Sequence, residues 1–319
     1  MGSTIIGIDH GYKNMKSANA MFATRLSRLD SKPDEMQMDG VVEFEGAYYT
    51  IYGSPLAAVN NHIKSESEEY YILTLASLGE EFRARGIQPG PNKIHVRLGC
   101  GLPQKWYDRQ KDSFKTMLWK NKELKFSYCG NTYNVVIDNV TIYMQGFAAL
   151  PVLECITQKS EHVVLVDIGG ETVDVIVCEG FHPLLDKCRI DTRATIALLK
   201  DIDSELQSEL GETIPEQDII KYISKGTKEL APKNPYEEIM QRCLCKYAEY
   251  IFTRLKEWGI NANYSTICFL GGGGKIIQSF GNYGSNIHFC EDMKINAKGY
   301  EYFEKALAMK QRSHHEKGR

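Results

Sequence analysis

Apolar positions along this chain recur in two periods, and the switches between them predict an alternation of strands and helices. Thr4–Ile8 is a short apolar run that ends in a turn at His10-Gly11, and Asn14–Phe22 follows as a return strand. Val41–Phe44 and Tyr48–Ile51 flank Glu45-Gly46-Ala47, the pattern of a hairpin. Over Glu68–Arg85 the period changes. Tyr71, Leu75, Leu78 and Phe82 fall at spacings of four, three and four, which predicts a helix, and Gly86 with Pro89-Gly90-Pro91 stops it. Lys93–Leu98 reads as a strand ending in Gly99-Cys100-Gly101-Leu102-Pro103, with a helix from Gln104 to about Trp119. Lys125–Tyr128 and Thr132–Ile137 form a second predicted hairpin, Val140–Tyr143 a further strand and Gly146–Ile156 a helix.

The pattern then restarts. His162–Val166 is a strand, a loop opens at Asp167, and Val173–Cys178 returns, repeating the strand–turn–strand of the N-terminus. Helices are predicted over Thr192–Leu210, Pro215–Ser224 and Pro235–Trp258. In the last, Leu244, Tyr247, Ile251, Leu255 and Trp258 make one apolar stripe. Thr266–Leu270 is a buried strand that feeds four consecutive glycines. Asn296–Lys310 closes the chain as a helix, and Gln311–Arg319 is expected to be a disordered polar tail. The repeated unit implies an α/β protein of two related α/β domains, with a ligand in the cleft between them. The expected boundaries are residues 1–158, with a smaller inserted subdomain at about 23–92, and 159–319, with a helical inserted subdomain at about 200–264.

Composition narrows the function classes. The 319 residues are 43% hydrophobic and 25% charged, ordinary for a globular protein and enough for two cores. A net charge of −3 gives no overall basic field, so direct nucleic-acid binding is not expected. No apolar run approaches the roughly 18 residues of a membrane helix, and the N-terminus lacks a signal pattern. Nine cysteines, an odd number with no Cys-x-x-Cys pair, suit a reducing cytoplasm rather than a disulfide framework.

Chemistry concentrates in three glycine-bearing loops, each placed just after an apolar run. In the first, Asp9 at a strand end is placed to hold a magnesium ion through waters, Gly11 allows close backbone approach to a phosphate, and Lys16 offers an ammonium. A surface turn with a solvated Asp and Lys is the competing reading. In the second, Asp167 repeats the Asp9 role, Gly169 and Gly170 form a backbone nest for an anion, and Thr172 adds a hydroxyl. Asp174 is read equally well as a brace or as a cation-side residue, and His10 and Glu171 as structural. In the third, Gly271, Gly272, Gly273 and Gly274 follow a core strand and offer a flat backbone surface for a nucleoside; a floppy turn is the alternative.

These three loops resemble the first phosphate, second phosphate and adenosine motifs of the actin-like ATPase superfamily, which also holds the DnaK-type chaperones and sugar kinases. The likeness spans residues 9 to 274. Ile8-Asp9-His10-Gly11-Tyr12-Lys13-Asn14-Met15-Lys16 is most similar to the ParM-type bacterial actins of plasmid segregation, as are the turn at Gly101-Leu102-Pro103, the helix at 70–78 and Gln145-Gly146-Phe147-Ala148-Ala149. The resemblance implies an actin-like fold that binds ATP (or GTP) with Mg2+. It places Asp9, Lys16 and Asp167 on the phosphates and metal, Gly169, Gly170 and Thr172 around the γ-phosphate, and Gly271, Gly272 and Gly273 at the adenosine. Gln145 falls where the family orients the attacking water, so Gln145 and Asp167 are the catalytic candidates. Lys221 and Lys225 are candidates for the ribose, with solvated helix lysines as the competing reading. Glu171 departs from the small or hydroxyl residue frequent in that loop. The implied function is a nucleoside triphosphatase that polymerises head to tail and segregates plasmid DNA through a DNA-binding adaptor, with no membrane partner. A small-molecule (sugar-type) kinase and a weakly hydrolysing nucleotide-binding scaffold are the alternatives on the same fold.

Overall fold

The structure, a computed structural model, describes residues 2–55, 64, 67–153 and 162–317. The chain divides into two units, Met1–Val152 with Lys294–Arg319, and Leu153–Met293. In the first, the elements are β1 (Thr4–His10), β2 (Asn14–Ser17), β3 (Met21–Ala23), β4 (Arg25–Leu29), β5 (Val41–Phe44), β6 (Ala47–Pro55), α1 (Glu68–Ala84), β7 (Lys93–Leu102), α2 (Gln104–Leu118), β8 (Glu123–Tyr128) and β9 (Asn131–Met144). A 3-10 turn at Phe147–Val152 follows. The second holds β10 (His162–Ile168), β11 (Val173–Glu179), β12 (His182–Pro183), β13 (Arg189–Asp191), α3 (Thr195–Leu210), α4 (Glu216–Lys225), α5 (Pro235–Glu257), β14 (Thr266–Leu270), α6 (Gly274–Phe280) and β15 (Ile287–Phe289). The last helix, α7 (Ile295–Lys317), returns to the first unit.

Nine strands of the first unit form one sheet in the order β3-β2-β1-β7-β9-β8-β5-β6-β4. Its centre, β1-β7-β9, is parallel. Alternation along β1 puts Ile6 and Ile8 into a core shared with Tyr70, Leu73 and Phe82 of α1, and turns Gly7 toward α7. A Cβ on Gly7 would lie 1.9 Å from the Ala297 carbonyl, and one on Gly101 1.9 Å from the Tyr300 hydroxyl, so glycines let α7 settle directly on the backbone of β1 and β7. The second unit repeats the plan on a smaller scale. Its sheet runs β12-β11-β10-β14-β15, with β13 on β11, and β10, β14 and β15 are parallel. Val164, Val166, Ile267 and Phe269 share a core with Leu198, Ile202, Leu244 and Ile251 of α3 and α5.

Several elements differ from expectation. The return strand over 14–22 is two strands, because Ser17 to Ala20 is a tight turn closed by Ser17 N–H donating to the Ala20 carbonyl at 2.9 Å. The buried Glu81 carboxylate holds that turn, taking the Asn19 amide at 2.6 Å and its side chain at 2.9 Å. β7 continues through Gly99 and Gly101 instead of stopping at Leu98, since both glycines are strand residues against Tyr300. β9 absorbs two predicted strands. The helix expected over 146–156 is a 3-10 turn containing Pro151, and its last residues, 154–156, lie outside the described residues. β4, α6 and β15 carry no pattern that the sequence reading recognised.

The largest correction concerns the C-terminus. The expected tail from Gln311 is helix to Lys317, and the segment from Lys294 packs with the first unit rather than the second. Nothing from Gln311 to Lys317 is Gly or Pro, and the helix entering it is anchored by Tyr300 and Glu304, both 0% exposed. Among the described residues no helix is long and apolar enough to cross a membrane. Every described cysteine is a free thiol.

Candidate functional site

The candidate residues of the first unit collect at the C-terminal ends of its parallel strands, where open α/β sheets present their ligands. Asp9 is the penultimate residue of β1 and pairs in register with Lys16 of β2. The ammonium of Lys16 lies 3.2 Å from Asp9 Oδ2, with the lysine side chain 14% exposed and the aspartate 1%. The other carboxylate oxygen, Oδ1, is buried and accepts no hydrogen bond among the described residues. A buried anionic oxygen left without a donor is costly, so it fits a hydrated cation or a water bound to one. Gln145 follows the last residue of β9. Its amide donates to Leu102 O at 2.9 Å, which sets it at the same edge of the sheet as Asp9, since β7 pairs with both β1 and β9.

His10 is fully buried, as the structural reading requires. Its Nε2 lies 2.8 Å from Thr74 Oγ1, and Phe114 packs edge-on at 5.1 Å. Burial foremost, and the Lys64 ammonium beside it, push its pKa down to about 3, against a hydrogen bond to the Ile8 backbone that raises it; the ring is neutral at physiological pH. Lys64, 3% exposed, donates to the His10 carbonyl and sits 4.8 Å over the Tyr12 ring.

In the second unit, Asp167 on β10 pairs in register with Asp174 on β11. The seven-residue offset equals that of Asp9 and Lys16, so one hairpin geometry occurs twice. Both aspartates are nearly buried. Thr172 donates its hydroxyl to Asp174 Oδ2 at 2.7 Å, so the proton expected to face a phosphate is committed to Asp174. Gly271 follows β14 immediately, with φ of 74°, and a Cβ there would lie 2.6 Å from Asp167 Oδ1. The structure thus brings Asp167, Gly169, Gly170, Thr172 and the 271–273 run together, with the start of α3 tied in by Thr195 Oγ1 donating to Gly169 O and Ile196 N–H to Gly170 O, both at 2.9 Å.

The glycines differ in role from the expectation of exposed amides. Gly11 N–H donates to Asp9 O at 3.0 Å, Gly169 N–H to Thr172 O at 2.9 Å, and Gly273 N–H to Ile168 O at 3.1 Å. The first two amides close their own turns, and the third ties the glycine run to the end of β10. What demands glycine is space: a Cβ would meet Asn14 O at 2.4 Å from Gly11 and Ile168 Cγ2 at 2.1 Å from Gly273. The four-glycine run is no flat platform either, because Gly274 opens α6. Lys221 pairs with Asp218 at 3.0 Å on the exposed face of α4, with its side chain 69% exposed, in line with a solvated lysine. Among the described residues no group of three or more His, Cys, Asp or Glu forms a metal cluster. A cation here would rest on one or two carboxylates, water and ligand oxygens, the arrangement magnesium favours.

Sequence reasoning missed Thr24 and Asn296. Thr24 donates Oγ1–H to Gly11 O at 2.7 Å and N–H to Lys13 O at 2.9 Å, tying the first loop to β3's end. Asn296 accepts Gly146 N–H at 2.9 Å from 150 residues away. Thr24 carried only the signal of a hydroxyl on the returning strand, and Asn296 none.

Comparison with known proteins follows the same division. The model of the N-terminal domain of actin-like proteins matches residues 7–147, and that of the C-terminal domain of archaeal MreB-like actin homologues matches residues 165–280. The archaeal actin homolog Ta0583 superposes with a TM-score of 0.73 at 20% identity, covering 95% of this chain and 99% of that one. The subunit of a 15-stranded ParM filament from Clostridium botulinum superposes with a TM-score of 0.72 at 20% identity, covering 96% and 100%. ParM of Bacillus thuringiensis with ATP gives 0.70 at 14% identity, covering 97% and 100%. No curated protein matches by sequence.

Proposed function

The chain belongs to the actin-like ATPase superfamily, and from that premise we propose that it is an ATP-hydrolysing, filament-forming protein of the ParM type. The observation that carries the reading is the duplicated acid-bearing hairpin, Asp9 with Lys16 and Asp167 with Asp174 at one register, each at the C-terminal end of parallel strands. The fold neighbours include Ta0583 in complex with ADP, ParM with ATP and a ParM filament, which supports nucleotide binding and self-association here.

In this reading Lys16 steers the β- and γ-phosphates, Gly11, Gly169, Gly170 and Thr172 shape the phosphate loops, and Gly271, Gly272 and Gly273 let the adenosine approach bare backbone. Asp9, through its buried Oδ1, and Asp167 are each carboxylates that would hold a magnesium ion brought by the nucleotide. That ion, when bound, neutralises charge on the phosphates. Gln145 orients the attacking water through its amide, which lowers the entropy of reaching an in-line geometry without acting as a strong base. ATP is the expected nucleotide, with GTP as the competitor to test. Head-to-tail contacts that do not close generate a helical polymer. Hydrolysis weakening those contacts, with a separate adaptor linking the polymer to plasmid DNA in the cytoplasm, is the cellular role we assign.

Light scattering with pelleting tests this directly. Scattering should rise when ATP and Mg2+ are added to micromolar protein, and phosphate release should accompany it. A flat trace together with ATP-dependent phosphorylation of a sugar would replace the filament by the kinase, and binding of ATP with neither outcome would leave the scaffold.

A further inference from the structure

We propose that Asn296 is a positioning residue for ATP hydrolysis, acting through the turn that carries Gln145; the inference rests on the role given to Gln145 above. Gln145 leaves β9 and enters a turn whose next residue, Gly146, is buried with φ of 77°. Two amides fix that turn. Gln145 N–H donates to Leu102 O at 2.9 Å, and Gly146 N–H donates to Asn296 Oδ1 at 2.9 Å. The first bond ties the turn to β7. The second ties it to the second residue of α7, a side chain only 4% exposed.

The acceptor is delivered rigidly. A Cβ on Gly299 would stand 1.9 Å from Ala148 O, and one on Gly7 1.9 Å from Ala297 O, so α7 lies in backbone contact with the turn's continuation on one side and with β1 on the other. Ala297 and Tyr300 are 0% exposed. Asn296 therefore has little freedom to follow a turn that drifts. Gly146, by contrast, has no Cβ to resist a change of φ, and a buried amide that loses its acceptor favours reorientation. Rotation there would swing Gln145, whose value lies only in where its amide stands. The arrangement makes α7, far away in sequence, the rigid reference against which Gln145 is set.

The test uses full-length protein and steady-state Mg-ATP turnover. Asn296→Ala should lower kcat by about 10- to 100-fold, the range of a misplacement near 1 Å, while the KM for ATP moves less than about threefold. Asn296→Asp should recover most of the rate, because its carboxylate accepts the same N–H and is favoured near a helix N-terminus. Hydrogen exchange at the Gly146 amide should quicken in the alanine variant and stay slow in the aspartate. In a Gln145→Ala background, Asn296→Ala should cost nothing further. Wild-type kcat in Asn296→Ala beside a slow Gln145→Ala would overturn the positioning role and spare Gln145. Equal losses in both backgrounds would reduce Asn296 to a structural role and overturn it as well. A Gln145→Ala enzyme that turns over normally would sink the reading of Gln145 and this inference with it. Should Asn296→Ala not fold, Asn296→Ser, whose hydroxyl falls short of Gly146, takes its place with the same expected losses and the same refuting results.

Discussion

Glu304→Gln should loosen α7 from its seat, and the size of the loss follows from the contacts of one carboxylate. Glu304 is 0% exposed. Its Oε1 accepts Arg97 Nε–H at 2.7 Å and Asn139 Nδ2–H at 3.1 Å, and its Oε2 accepts the Tyr143 hydroxyl at 2.9 Å. Arg97 has its side chain 15% exposed, and its buried Nη2 has no acceptor among the described residues. Glutamine keeps the volume but removes the charge and turns an N–H2 toward groups that themselves donate. Removing one partner of a buried pair costs about 3–5 kcal/mol. Three lost or weakened bonds at roughly 1–2 kcal/mol each reach the same figure. Against a domain stability of about 5–15 kcal/mol the loss is a large fraction. Urea unfolding followed by tryptophan fluorescence reads it, since Trp106 and Trp119 report on the unit that Glu304 braces. Replacing both partners, Arg97→Met with Glu304→Leu, should recover most of the stability, because no charge is then left buried alone. A loss below about 1 kcal/mol in Glu304→Gln would show that the ion pair does not seat α7, and that its glycine contacts alone suffice.

Three further outcomes are expected. Gly271→Ala forces a side chain onto φ of 74° and a Cβ to 2.6 Å from Asp167 Oδ1; it should cost about 1–3 kcal/mol and abolish ATP binding by calorimetry, and unchanged affinity would remove the glycine run from the nucleotide site. Asp167→Ala should end turnover, while Gln145→Ala should slow phosphate release and leave filaments that persist in the pelleting assay; normal hydrolysis in Gln145→Ala would contradict its role. Burial raises the Asp191 pKa, but the Arg193 amide, the Tyr250 hydroxyl and the Arg254 guanidinium outweigh it and hold the carboxyl below its usual range. Its stabilisation is therefore present above the ordinary carboxylate pKa and lost as pH falls through the lower folded value, so Asp191→Asn should flatten the acid limb of a stability–pH curve below about pH 4; an unchanged limb would refute this.

The central strands β1, β10 and β14 were legible because each is a nearly continuous apolar run: Thr266–Leu270 is the same in pattern and in structure. The acid-bearing hairpins were legible for the same reason, as a glycine turn beside such a run marks a strand end. What stayed hidden depends on contacts distant in sequence. Gly99 and Gly101 read as a turn because glycine breaks strands on average, yet here Tyr300, some two hundred residues on, needs their missing side chains. The C-terminal helix was read to Lys310 and its last turns, from Gln311, as a tail because they are polar all round, with the anchorage upstream in Tyr300 and Glu304. Asn296 was invisible because one asparagine at a helix start carries no pattern until the Gly146 amide is seen in front of it.

The two hairpins share a geometry and differ in electrostatics, and the difference has a consequence. Across the strands, Asp9 faces a lysine and Asp167 faces an aspartate at the same register. The first pair is internally compensated, with 3.2 Å between charges of opposite sign. Two carboxylates placed alike in the second hairpin cannot compensate each other in that way. Thr172 supplies one donor to Asp174. The second hairpin therefore presents two carboxylates where the first presents a carboxylate and an ammonium. Duplication of the scaffold fixed where the acids stand, and the residue seven positions later decides whether an acid faces a lysine or a second acid.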